Sequence, residues 1–155
     1  MPHDRTKEDD MLSVNSYPRA YVDGCRAKIE GQIETYRDVV AAAAKVGAKD
    51  GATLDAVLAA FEPRFCNHMV MVVDDYFLHR SRNLELKDGN PLNEVRVICN
   101  SLRDNHDTMA ADKQIKMDPG SSILKLQVGD EISLSIDDLQ RLAEAFFSEI
   151  ERKYP

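Results

Sequence analysis

The run Phe65-Cys66-Asn67-His68-Met69-Val70-Met71-Val72-Val73-Asp74-Asp75-Tyr76-Phe77-Leu78-His79-Arg80 decides how the chain is built. Read as a helix, it sets Phe65, Met69, Val72 and Tyr76 in one apolar row and Cys66, Val70, Val73 and Phe77 in the next. A stripe that wide predicts a central helix packed on more than one side. Pro63 suits a first turn, where its missing N–H costs nothing. The expectation is a central helix over 63–82, about 28 Å long at ~1.5 Å per residue. Asn67, His68, Asp74 and Asp75 interrupt the apolar run, and a membrane span needs about 20 apolar residues, so no membrane association is expected. At ~100° per residue His68, Asp75, His79 and Arg82 fall within a sector of roughly 60°. The helix thus carries one narrow polar line, which faces either solvent or a cavity.

Working outward toward the start, residues 1–14 read as a disordered tail, charged and with almost nothing to bury. The remainder, 15–155, reads as a single helical domain. Ser16 caps a long helix with Pro18 in its first turn. Val22, Cys25, Ile29, Ile33, Tyr36, Val40 and Ala43 make its apolar line, and Gly47 stops it. Thr53 caps a short helix over 54–61, and Glu62-Pro63 marks the joint with the central helix.

Toward the end, Asp88-Gly89 predicts a turn, and Asn90 with Pro91 opens a helix to about Arg103. The period then changes. Ile115 and Met117, then Leu124, Leu126 and Val128, then Ile132 and Leu134 alternate at two residues, punctuated by Asp118-Pro119-Gly120 and Gly129-Asp130. This predicts a small antiparallel β-hairpin or sheet over about 113–135. Ser135 caps the last helix, with Ile136, Leu139, Ala143, Phe146, Ile150 and Tyr154 as its apolar line. The fold class expected is α+β, mainly helical: about five helices around 63–82 with a small sheet before the last one.

At 155 residues a core buries most of the unfolded surface without disulfide or metal. A formal charge of −7 discourages non-specific nucleic-acid binding, which rests on Lys and Arg neutralising phosphate. Cys25, Cys66 and Cys99 are far apart, odd in number and set among apolar residues, which reads as buried thiols in a reducing compartment. Met1 to Asp10 has no apolar signal-peptide core, so a cytoplasmic location is expected.

Asp88-Gly89-Asn90-Pro91-Leu92-Asn93-Glu94-Val95-Arg96, with the upstream Tyr76 to Arg80, resembles a family of uncharacterised, mainly actinobacterial proteins. The similarity runs from about Phe61 to Tyr154. It takes in Leu124-Lys125-Leu126, Gly129-Asp130-Glu131 and Ala145 to Ile150. The resemblance implies a soluble bacterial protein and carries no activity and no functional residue.

Three features bear on chemistry. Asp75 and His79 stand at i, i+4, so in a helix they can meet as metal ligands or as an acid–base pair. A metal needs a third protein ligand, and nothing selects among Glu94, His106 and Asp107, so no metal or other cofactor is expected. The blander alternative is an ion pair on a wet face. Second, the polar residues from His79 to Arg96 surround a helix N-terminus, and Arg82, Glu94, His79 and Asn90 are the candidates for binding a small anionic ligand. Against this, Asn90 simply caps and Glu94 pairs with Arg80 or Arg82. Third, the first and last helices carry apolar residues beyond one stripe, which suits a homodimer. No Ser, Thr or Cys can be placed as a nucleophile. The expected function is therefore a non-enzymatic ligand-binding or protein-interaction domain. The alternative is a small enzyme using Asp75 and His79.

Overall fold

Asn90 opens a helix because its side-chain oxygen accepts from the N–H groups of Leu92 and Asn93, at 2.9 and 3.3 Å, with Pro91 in the first turn. Ser135 opens another through a reciprocal capping box with Asp138. In the computed structural model, which describes residues 13–155, these are two of five helices. In chain order they are α1 (Arg19–Ala43), α2 (Ala48–Asp75), α3 (Arg82–Glu85), α4 (Pro91–Asp104) and α5 (Ile136–Lys153). Of the expected tail, residues 1–12 lie outside the described residues. Val14 belongs to the body: its N–H donates to the His79 carbonyl and its carbonyl accepts from Ser81.

The innermost helix is α4, not the segment 63–82. Every residue from Leu92 to Cys99 is buried. It packs against α2 and α5, and the irregular segment 105–135 runs over it. Periodicity could not show this, because Asn93, Glu94 and Arg96 read as surface residues. Each is buried with its polar atoms partnered, which removes most of the cost of leaving water.

The 63–82 helix is corrected at both ends. Helix α2 begins at Ala48 and carries Pro63 in its interior. The proline forfeits one hydrogen bond to the carbonyl four residues back, and Ala59 there is exposed to water. Phe61 and Phe65 stack across the break at 5.6 Å and both stack on Tyr36 of α1, which holds the two halves in line. The helix stops at Asp75 because Arg80 turns back beneath it, donating to Asp74 and to the Phe77 carbonyl. By length and composition alone α2 passes for a membrane span, with a mean hydropathy of 1.2 over its most apolar window. Its second half buries Cys66, Val70 and Val73 in the protein core.

The α+β expectation is overturned. Among the described residues there is no strand and no sheet, only the isolated bridges Val14–Arg80 and Thr108–Glu131. The alternation holds only near the end of the segment, where Ile132 and Leu134 are buried around exposed Ser133, as an extended chain laid over helices also buries every second side chain; residues 119–124 turn instead, and Val128 is 69% exposed. Side chains satisfy the backbone of the segment where a ladder would have done so. The Asn67 amide donates to the Ile132 carbonyl at 2.8 Å and accepts from Leu134 at 3.2 Å. The Glu94 carboxylate accepts from Ile123 and Leu124 at 2.7 and 2.9 Å.

Candidate functional site

Asp74 stands four residues after Val70 and three before Phe77, inside the apolar stripe of α2, so it is buried with them. Arg80 meets it: Nη1 lies 2.9 Å from Asp74 Oδ1, and Nε donates to Glu85 Oε1 at 2.8 Å. Arg96 reaches the same carboxylate through Nε and Nη2, both at 3.0 Å. Two arginines and two carboxylates thus form a buried, charge-balanced network joining α2, α3 and α4. Arg80 Nη2 is 2.7 Å from Glu85 Oε1 but misaligned, so it is attracted as a charge while remaining a buried donor without a hydrogen bond. Burial by itself lowers the Arg80 pKa, but Glu85 and Asp74 more than offset this and raise it. The guanidinium also lies 5.4 Å from the Phe146 ring centre. Tyr154 at the end of α5 closes the network from below, its hydroxyl donating to the Ser81 carbonyl at 2.7 Å.

This network places α3 at the edge of a cleft of about 300 Å³ whose other wall is residues 111–115. Arg82, Lys87 and Lys113 bring positive charge to it, and Asp112 brings negative charge. The Asp112 carboxylate accepts from the backbone N–H groups of Ile115 and Gln114, which hold its pKa below the usual range. Glu85 also borders the cleft, but Arg80 and Arg96 already occupy its oxygens. Arg82 has no ion pair among the described residues. Burial, and then the adjacent Arg96, lower its pKa. The wall is held by strained backbone: Leu86 takes φ 65° and is tied down by Asn93, whose amide donates to its carbonyl at 2.9 Å.

The structure separates the other candidates. His68, Asp75, His79 and Arg82 are all exposed, but they form no single line, because α2 ends at Asp75 and Arg82 belongs to α3, where it borders the cleft. Asp75 is the last residue of α2, His79 lies in the following turn, and no hydrogen bond or ion pair joins them. His68 Nδ1 is 2.6 Å from the Arg64 carbonyl. Asn90 is the α4 cap and also donates to the Glu85 carbonyl at 2.7 Å. Glu94 does not pair with Arg80 or Arg82; it holds the 123–124 backbone, and its burial raises its pKa. Among the described residues no three His, Cys, Asp or Glu come together to hold a metal ion. Cys25, Cys66 and Cys99 are buried and free. Burial pushes the Cys66 and Cys99 thiols up to about 12.

Sequence reasoning placed Arg96 in the polar cluster but missed Asp74, Glu85 and Lys113. A signal existed for Asp74: a charge inside an apolar stripe implies a buried partner. None existed for Lys113, which reaches the cleft only through the path of the 105–135 segment. The chain matches no known protein family, no curated protein and no solved structure, so the site stands on its own geometry.

Proposed function

We propose that the protein is a non-enzymatic binding domain that takes a small anionic ligand, a carboxylate or a phosphate, in the cleft between α3 and residues 111–115. The observation that carries this reading is Arg82: a cation at the mouth of a 300 Å³ cleft that Lys87 and Lys113 also line, with no ion-pair partner among the described residues and with Glu85 and Asp112 acting on it only at longer range. An anion there relieves the repulsion between Arg82 and Arg96 and restores charge balance to a partly desolvated arginine. Arginine presents a planar fork suited to bidentate capture of either anion. The buried network supports the reading because it presets the position of α3, so little ordering cost falls on binding.

The test is thermal denaturation and calorimetric titration with inorganic phosphate and a panel of mono- and dicarboxylates. Wild-type protein gains stability with ligand concentration, by about 2.7 kcal/mol at a hundredfold excess over Kd. Arg82→Met and Lys113→Met lose that gain while keeping the ligand-free melting temperature. A panel that shifts nothing, or an Arg82→Met variant that still binds as well as wild type, would sink the proposal.

A further inference from the structure

Helices α1 and α2 form a hairpin whose outer part stands away from the body. Arg37 is the last residue of α1 tied to another element, pairing with Asp137 and bonding to Gln140 in the first turn of α5. Among the described residues, no hydrogen bond or ion pair joins residues 38–62 to α4, α5 or the 105–135 segment. At ~1.5 Å per residue the arm reaches roughly 15 Å beyond that tie.

Its own seam is closed by Tyr36, Ala43 and Gly51, yet the arm stays apolar outside the seam. Val39, Val40, Val46, Val57 and Phe61 are 47%, 41%, 41%, 58% and 46% exposed. At ~100° per residue, Val39 lies to one side of the α1 seam, and Val57 and Phe61 to one side of the α2 seam. For two antiparallel right-handed helices these are the same side of the hairpin, so the residues form one patch. With Val46 they leave on the order of 300 Å² of apolar surface, within the range of the largest patch on a typical monomer. That is more than a third of the ~800 Å² that each partner buries in a stable interface, and such an interface is itself little more than half apolar.

Charge decides the occupant. Residues 38–62 contain Lys45 and Lys49 against Asp38, Asp50, Asp55 and Glu62 and sum to −2, so most of the formal charge of −7 lies elsewhere in the chain. Two copies that meet arm to arm keep their acidic bodies apart by more than the screening length of ~8 Å. A charged protein partner finds no complementary field on this surface. An anionic membrane finds no excess of Lys or Arg, which interfacial helices carry on their polar face. An isologous contact needs only that the patch fit itself. We infer that the outer hairpin, through Val39, Val57 and Phe61, is the surface on which a second copy of this chain docks, giving a two-fold dimer with four helices at its centre.

The test is sedimentation of the full chain over a range from about 1 to 300 μM at physiological salt. The expected result is a species of twice the 17.4 kDa chain mass. Val57→Glu and Val39→Glu, one on each helix, each weaken it at least tenfold while the helical signal and melting temperature hold. If Val57→Glu disturbs the fold, Val57→Ala serves the same comparison and weakens the dimer without adding a charge. A chain that is monomeric throughout overturns the inference. So does a dimer that both glutamate variants leave intact, which would place the contact on another face. Flotation with phosphatidylglycerol vesicles through Val57, in a chain that sediments as a monomer, overturns it in favour of a lipid surface. Loss of phosphate binding in Arg82→Met leaves this result unchanged, so the two proposals fail separately.

Discussion

Replacing Glu85 with Gln removes one charge from the buried network and changes almost no volume. The Glu85 and Arg80 side chains are each 1% exposed and that of Arg96 is 11% exposed, so water cannot substitute for the lost charge. After the change, Arg80 keeps only Asp74, which receives its Nη1 at 2.9 Å and faces Arg103 at 3.7 Å, and Arg96 loses the carboxylate it was paired with. The new amide N–H₂ also points a donor at a guanidinium, leaving a second unsatisfied donor beside Arg80 Nη2. Removing one partner of a buried pair costs about 3–5 kcal/mol. At ~2–4 °C per kcal/mol for a chain of this size, the melting temperature falls by roughly 10 °C. Circular dichroism melts and urea titrations at constant m-value measure the loss. Asp75→Asn, one residue from the network but exposed, is the control and stays within about 0.5 kcal/mol. Glu85→Gln combined with Arg96→Met removes the stranded charge as well and recovers part of the loss, with a coupling on the order of 1–3 kcal/mol. A Glu85→Gln loss below about 1 kcal/mol would refute the reasoning, and with it the claim that this network fixes the position of Arg82.

Asn67→Ala strips the Ile132 carbonyl and the Leu134 N–H of their partner; the expected cost is about 1–3 kcal/mol, with faster amide exchange at Leu134 as the local readout. The three cysteines should resist a thiol reagent in the folded protein and react at once in denaturant; rapid modification of Cys66 or Cys99 in native buffer would contradict their burial. Acid titration should show two opposing contributions. The folded pKa of Asp112 is depressed below 3.8, so its stabilisation is present above that pH and is lost as pH falls through the folded value. The folded pKa of Glu94 is raised above 4.5, so the folded form takes up its proton first, and stability rises as pH falls from that folded value toward 4.5. Glu94→Gln should abolish the rise and leave the Asp112 limb; equal pH profiles for the two proteins would rule out the assignment.

The elements whose boundaries depend on near neighbours were legible from the residues alone. Asn90 with Pro91, and Ser135 with Asp138, state their helix starts within four residues of chain, because a cap is a local hydrogen bond. The buried line Val22, Cys25, Ile29, Ile33 and Tyr36 follows from periodicity in the same way. Apart from the early stop of α2 at Asp75, the readings that failed turned on partners far away in sequence. Alternation over 113–135 reports an extended, one-side-buried chain only at Ile132 and Leu134, and it cannot say whether a strand, an asparagine or a glutamate will meet the backbone. Here Asn67 and Glu94 meet it, from 65 and 29 residues away. Pro63 marked a break that aromatic stacking from α1 overrode. Arg82 was a candidate from its neighbours in the chain, but its cleft exists only because residues 111–115 cross beside it. Local spacing sets which torsions and caps are favourable; whether a charge ends in water, in a network or at the mouth of a cleft depends on which distant groups share its few ångströms, and packing alone settles that.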